Sequence, residues 1–328
     1  MKNIRWGIAG PGFIANKFAQ AVQNAEGADL VAVASNSKER GAAFAEKYGI
    51  AHVFSSYEEM AASDLVDAVY VSTPHSFHKP CAEIFLREKK HVLCEKPICV
   101  NAAQAIALQK TAVDNGVFLM EAMWTRFLPA VREACRIAAS GEIGEVLGVR
   151  ADFCYASTPQ EEAKLFDPAM AGGSLLDVGI YGLHFADMVL GEPKSITAVA
   201  QMLPEVDGHT DLLLQYESGA IASISSAIVV QKPEDGYIYG SKGHIYLPCF
   251  YGAKELYIHV GNEAPRHIKK PSIGDGFEEE ILEVCACIRA GKTQSDVHPM
   301  SQSIKILKQM DAIRAQIGLH YPLEGETF

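Results

Sequence analysis

Short apolar runs alternate with segments of helical period through the first third of the chain. Unbroken runs bounded by turn residues mark strands buried on both faces, and they fall at residues 4–9, 30–34, 68–72, 91–94 and 117–120. Between them, residues 13–24, 38–48, 78–88 and 102–115 carry apolar side chains at the spacing of an amphipathic helix. Strand and helix in strict alternation predict a parallel sheet with crossover helices. This is a doubly wound α/β domain, which binds its ligands at the carboxyl ends of the strands.

Pro129 suits a first helical turn and Gly141 a helix end, so a helix over residues 130–139 links this domain to the next. From residue 146 the texture changes to longer β-like stretches at 146–155, 195–202, 211–216, 220–230, 237–239, 244–247 and 255–259. Turns such as Glu217-Ser218-Gly219 join them. They predict a large, mostly antiparallel sheet in an α+β domain, closed by helices over 277–290 and 300–317. A chain of 328 residues is natural for two domains, and we divide it into 1–122 and 123–328.

The balance of 29 basic and 40 acidic residues gives a net charge of −11, which disfavours nucleic acid and anionic membrane as partners. No apolar run approaches the roughly 18 residues of a membrane span. Glycines break the first apolar stretch before it reaches the length of a signal-peptide core. The eight cysteines include no C-x-x-C pair and no Cys/His cluster with zinc spacing, so they read as reduced thiols of a cytoplasmic protein without a metal site.

Five segments carry chemistry. Gly10-x-Gly12-x-x-Ala15 follows a strand and opens a helix, with Phe13 and Ile14 inside it. Glycines there let the backbone turn tightly against a pyrophosphate, while the helix N-terminus offers free N–H groups. The second strand then decides the cofactor. It ends Ala34-Ser35-Asn36-Ser37-Lys38-Glu39-Arg40, with no carboxylate at the strand end to hold a ribose diol. Ser35, Asn36, Ser37 and Lys38, with Arg40 as a further candidate, suit a 2′-phosphate, which favours NADP over NAD. The alternative reading makes Lys38 and Arg40 solvated helix residues. Thr73 and Pro74 follow the central strand and belong beside the nicotinamide; His78 begins the next helix and either touches the ligand or caps the helix.

Glu95-Lys96-Pro97 follows the strand at 91–94, and a lysine fixed there by a proline is placed to work on cofactor or substrate. Beyond Gly172-Gly173-Ser174, at 100° per residue, Asp177, Tyr181 and His184 share one face of a helix. Ser174-x-x-Asp177 also fits a capping box, which would give Asp177 a structural role. Oxidising an alcohol by hydride transfer needs a base, and an unperturbed tyrosine near pKa 10 is a poor one until a lysine ammonium stabilises its phenolate. Lys96 and Tyr181 lie on different domains, so the chemistry is expected in a cleft between them. His184 is the rival for the proton, because a neutral imidazole needs no shift.

Together these stretches, with Gly141-Glu142-Ile143-Gly144-Glu145-Val146, resemble the glucose-fructose oxidoreductase / inositol dehydrogenase (Gfo/Idh/MocA) family over nearly the whole chain. The resemblance implies an N-terminal Rossmann domain and a C-terminal domain with an open antiparallel sheet through which members form dimers or tetramers. Tyr181 stands where many members carry His. With Met120-Glu121-Ala122-Met123-Trp124-Thr125-Arg126-Phe127 it looks like the NADP-dependent dihydrodiol / D-xylose dehydrogenase branch. By that resemblance Lys96 and Tyr181 carry catalysis, Asp177, Trp124 and Arg126 shape the substrate site with His184, and Glu95 lies at the cofactor. The branch commonly has Arg near the end of the second strand, where this chain has Asn36.

The expected function is therefore an NADP-dependent dehydrogenase or reductase of a sugar, polyol or vicinal diol, acting as a homodimer. A non-catalytic NADP-sensing regulator of the same fold is the alternative from a different class; a third is an oxidoreductase that recycles a cofactor it never releases. Cofactor turnover separates the first two, and cofactor that survives dialysis marks the third.

Overall fold

In the computed structural model, which describes residues 2–323, every apolar run expected in the first third is a strand of one parallel sheet. The strands are β1 (Ile4–Ala9), β2 (Ala28–Ala34), β3 (His52–Phe54), β4 (Ala68–Val71), β5 (His91–Glu95) and β6 (Leu119–Ala122). Their order is β3-β2-β1-β4-β5-β6, so the chain reverses direction across the sheet between β1 and β4. That reversal is the switch point at which doubly wound sheets bind ligands. The crossover helices are α1 (Phe13–Asn24), α2 (Lys38–Tyr48), α3 (Tyr57–Ala62), α4 (His78–Arg87) and α5 (Ala102–Asn115). Trp6, Phe18, Tyr70 and Phe85 fill the core between sheet and helices, with the Phe18 and Tyr70 rings stacked 3.8 Å apart.

Two of these elements have no signature in the sequence. β3 is a three-residue edge strand with His52 and Val53 exposed, and α3 is a six-residue helix, too short to display a period.

The second unit begins at Thr125. Helix α6 (Pro129–Ala139) carries Pro at its first turn, as expected. An eight-stranded sheet follows, with β7 (Val146–Cys154), β8 (Ser195–Met202), β9 (Asp207–Gln215), β10 (Ile221–Ala227), β11 (Gly236–Gly240), β12 (Gly243–Leu247), β13 (Glu255–Val260) and β14 (Arg266–Lys269). Its order is β14-β13-β12-β11-β7-β10-β9-β8. All pairings are antiparallel except that of β7 with β10. One face buries Val149, Leu212, Leu214, Ala222, Ile224, Ile238, Ile245 and Ile258 beneath α6 and α7 (Ile180–Leu190). The other face is open. It presents Val199, Leu213, Ile221 and Tyr239 to solvent, and a ladder of rings in which Tyr237 meets Tyr246, His244 meets His259, and Tyr257 meets His267.

The division between the units is not a single cut. Ile273–Lys305 belongs with the first unit, where α8 (Phe277–Arg289) lies against α1 and β2. Asn24 donates to Glu278 there at 3.0 Å, and Arg289 donates to the Gly27 carbonyl at 2.6 Å. The last helix, α9, spans Met300–Ile317.

Candidate active site

At the switch point the backbone is shaped for an anion. Gly10 adopts φ 91°, a conformation glycine tolerates, and a Cβ there would press on the Ser72 carbonyl and on Thr73 at 3.2 Å. Ser72 fixes the turn by donating its hydroxyl to the Gly10 carbonyl at 2.9 Å. Gly12 caps α1 without any side-chain hydrogen bond, and a Cβ at Gly12 would meet nothing within 4 Å. The first N–H groups of α1 therefore open onto free space with the positive end of the helix dipole behind them. The Thr73 hydroxyl is buried beside this turn with no hydrogen-bond partner. An orphaned hydroxyl, a glycine cradle and an uncapped helix start fit a dinucleotide pyrophosphate. Phe13 projects into solvent, 81% exposed, and Ile14 follows it, partly exposed.

After β2 the side chains sort into two groups. Ser35 is buried and accepts from the Ser37 N–H at 3.2 Å. Ser37 caps α2 by accepting from the Arg40 N–H at 3.3 Å, and its hydroxyl donates to Glu39 at 3.0 Å. Both serines are thus spent largely on shaping the turn. Asn36, Lys38 and Arg40 stay exposed, and the Arg40 guanidinium donates to Asn36 Oδ1 at 2.9 Å. Glu39 stands among them as a carboxylate held below its ordinary pKa by the hydrogen bonds of its own backbone and of Ser37.

His78 is not a surface residue. Its ring is 1% exposed, with Nδ1 2.8 Å from the Pro97 carbonyl and Nε2 2.7 Å from the Thr73 carbonyl. It therefore braces the loop after β4 against the turn after β5. Burial outweighs the pull of the two carbonyls and lowers its pKa to about 4; a neutral ring donates to one carbonyl and sets its lone pair against the other, whereas the imidazolium donates to both. Glu95 ends β5, buried, and accepts the Tyr70 hydroxyl; its second oxygen accepts the Lys96 N–H at 3.2 Å. The Lys96 side chain is half-buried. The Trp124 ring stacks on Phe277 of α8, centroids 5.1 Å apart.

In the second unit the helix after Gly172-Gly173-Ser174 opens with a π-turn over Leu175–Gly179 before continuing as α7. The capping-box reading fails here. Ser174 makes no cap bond to its own helix but turns its hydroxyl to Asp207, 2.7 Å away, while Asp177 accepts the Tyr155 hydroxyl at 3.1 Å. Burial and the facing Asp177 raise the Tyr155 pKa, so Tyr155 stays a donor. Tyr181 is 7% exposed, its ring set against Phe153 and Tyr251, which stack on each other at 3.8 Å. Tyr251 in turn donates to Glu234 at 2.8 Å.

Arg126 and His184, expected at the substrate, meet each other and Asp187. Both are buried, and Arg126 Nη1 lies 3.1 Å from His184 Nδ1 and 3.3 Å from Asp187 Oδ2. A guanidinium only donates, so His184 presents a lone pair on Nδ1 and is neutral with its proton on Nε2. Arg126 has an internal role, orienting His184 and neutralising Asp187. Tyr155, Phe153 and Tyr251 escaped sequence reading. The first two were visible as an alternating pair at the inner end of β7, whereas nothing local marks Tyr251. Glu280 of α8 is also new. It is fully buried with neither carboxyl oxygen partnered, and burial, with Glu95 nearby, raises its pKa well above the ordinary carboxyl value.

Comparison with known proteins gives two family matches. Residues 4–123 match the model of an oxidoreductase family with an NAD-binding Rossmann fold, GFO_IDH_MocA, and residues 131–246 match the GFO/IDH/MocA C-terminal domain. Trans-1,2-dihydrobenzene-1,2-diol dehydrogenase of Mus musculus is 34% identical over 332 residues, covering 97% of this chain and 98% of its own. The scyllo-inositol 2-dehydrogenase (NADP(+)) IolU of Bacillus subtilis is 32% identical, covering 98% and 99%. Among solved structures, KijD10, a 3-ketoreductase from Actinomadura kijaniata in complex with NADP and TDP-benzene, superposes with a TM-score of 0.88 at 26% identity, covering 96% of this chain and 98% of that one.

Proposed function

The chain belongs to the GFO/IDH/MocA oxidoreductase family, and from that premise we propose that it is an NADP-dependent dehydrogenase or reductase acting on a CH–OH carbon of a small sugar, polyol or vicinal diol. The observation that carries this reading is the turn after β1, with its uncapped α1, its glycine cradle and the orphaned Thr73 hydroxyl. When bound, the nicotinamide cofactor supplies the hydride donor or acceptor. Gly10, Gly12 and the first N–H groups of α1 would hold its pyrophosphate, and Asn36, Lys38 and Arg40 its 2′-phosphate. Thr73, Pro74 and Glu95 would complete the cofactor site, with His78 holding their loops in place. The relatives' names support the substrate class: a diol for the mouse protein, an inositol with NADP(+) for the bacterial one.

The chain's own residues then divide the proton work. Tyr181 accepts the hydroxyl proton in oxidation and returns it in reduction. Lys96 stabilises the phenolate and orients the reacting oxygen. Asp177, fixed by Tyr155, positions the pair. His184 serves as a neutral wall residue because Arg126 occupies its lone pair, which is why we assign the proton to Tyr181. Trp124 lines the substrate side.

We assign cofactor binding to residues 1–122, with 273–305 belonging to the same unit, and substrate binding and dimer formation through the open sheet face to the rest of 123–328, where exposed Val199, Leu213, Ile221 and Tyr239 support a second copy as its cover. Eight free thiols support a cytoplasmic setting. The test of function is NADPH oxidation and NADP⁺ reduction across a panel of aldoses, polyols and vicinal diols. Turnover on at least one is expected. Tight NADPH binding with no turnover on any would make the chain a regulator and overturn the reading.

A further inference from the structure

Asp207 lies far in sequence from the helix that bears Asp177, Tyr181 and His184, yet it holds the beginning of that helix. The first residue of β9, it is fully buried. A single oxygen, Oδ2, accepts from the Leu175 N–H at 2.7 Å, the Ser174 hydroxyl at 2.7 Å and the Thr210 hydroxyl at 2.8 Å. Leu175 is the first residue of the π-turn, and its N–H is one of the donors that a helix start leaves without an internal partner. Asp207 thus does what an N-cap side chain does, but from another strand.

The glycines of the motif show how closely this contact is fitted. Gly173 adopts φ 105°, and a Cβ on it would run into Asp207 Oδ1. A Cβ on Gly172 would strike the Leu165 carbonyl, one on Gly179 would come within 3.0 Å of Ser226 Oγ, and one on Gly182 would hit Ile224. The helix is therefore pressed onto β9 and β10 along its length, and its rotation about its own axis is fixed at the start by the carboxylate. That rotation matters because a π-turn advances by fewer degrees per residue than an α-turn. The directions of Asp177 and Tyr181 depend on the turn being held.

We propose that Asp207 is a positioning residue for proton transfer: through Ser174, Leu175 and Thr210 it locks the π-turn and so sets the direction in which Asp177 and Tyr181 point. This rests on the reading of Tyr181 as the acid–base group. The groups that donate to the carboxyl are the Ser174 and Thr210 hydroxyls and the Leu175 N–H, none of them charged. Burial raises its pKa to about 6, so at neutral pH it is a carboxylate whose Oδ2 accepts from the three donors. Its other oxygen, Oδ1, is buried without a partner, so Asn keeps the accepting oxygen, loses the charge and sets an NH2 group where no acceptor stands.

Full-length Asp207→Asn, Asp207→Ala and Ser174→Ala are compared by steady-state kinetics, NADPH titration and amide hydrogen exchange. Asp207→Ala is expected to lower kcat by on the order of 10- to 100-fold, the loss that follows a small misplacement of reacting groups, with NADPH affinity unchanged and faster exchange confined to residues 174–184. Asp207→Asn should restore kcat to within about fivefold of the native enzyme, and exchange to native rates. Should Asp207→Ala fail to fold, Ser174→Ala removes one donor and is expected to show the same local exchange and a smaller fall in kcat. Native kcat and exchange in Asp207→Ala, or in Ser174→Ala where only that variant folds, would overturn the proposal. So would an Asn variant as slow as Ala with native exchange, which would make the charge the active feature. A native chain that turned over no substrate would sink the role of Tyr181, while the exchange measurement would still decide whether Asp207 locks the turn.

Discussion

Arg40 and Asn36 stand where an NAD-dependent enzyme would carry a carboxylate for the ribose diol, and their 2.9 Å hydrogen bond leaves the Asn36 amide nitrogen as a donor beside a permanent positive charge. Glu39, two residues before the α2 ladder begins to close, opposes a 2′-phosphate electrostatically, and Lys38 with Arg40 offsets it. NADPH is therefore expected to bind more tightly than NADH, and Arg40→Ala to reduce that preference roughly tenfold, the size of one charge-assisted hydrogen bond of about 1.5 kcal/mol. Calorimetric titration of both cofactors checks this, and tighter NADH binding by the native chain would contradict it. At this scale the glycine turn and the absence of a carboxylate at the strand end were legible, because their chemistry is local in sequence. The burial of Arg126 and the service of Asp207 were not, since each depends on a partner dozens of residues away, His184 in one case and Ser174 in the other.

Elements joined by a buried neutral histidine respond to acid. His78 ties the loop after β4 to the turn after β5, and its pKa of about 4 in the folded chain lies below the ordinary 6.5. Between those values the unfolded chain binds the proton and the folded chain does not, so this contribution to stability is whole above pH 6.5 and is lost as the pH falls towards 4. The shift corresponds to at most about 3 to 4 kcal/mol. Chemical denaturation of His78→Gln at pH 7, 5.5 and 4.5 should show a flatter pH dependence than the native chain; an equal slope in both would contradict a buried neutral ring. The parallel strands were readable from unbroken apolar runs, and the sheet of the second unit from strand-like runs joined by turns. The π-turn was unreadable in residues 175–179 because the carboxylate that accepts its first N–H lies on β9. The fit against that carboxylate makes Gly173→Ala a severe change, combining a positive φ with a clash against Asp207.

For the whole molecule, the open sheet face and the pairing of Lys96 with Tyr181 each make a claim larger than one unit. The exposed apolar and aromatic side chains of β8 to β14 are expected to be covered by a second copy, so light scattering at micromolar concentration should report about twice the 35.5 kDa of one chain. A monomer there would refute the dimer, and Leu213→Glu should produce one by burying a charge against the partner. Catalysis poses the stricter question, because Lys96 belongs to the first unit and Tyr181 to the second. If they act as one acid–base unit, removing either removes the function of both, and their losses do not add. The deciding measurement is kcat at saturating NADPH for Lys96→Ala, Tyr181→Phe, the double variant and His184→Ala. Each of the first two is predicted to fall roughly a hundredfold or more, within the ~10²–10⁴ of a positioned acid–base group, with the double variant no slower than the worse single by more than a few-fold and NADPH affinity kept in Tyr181→Phe. Near-native turnover in Tyr181→Phe beside an inactive His184→Ala would transfer the proton to His184 and contradict the mechanism.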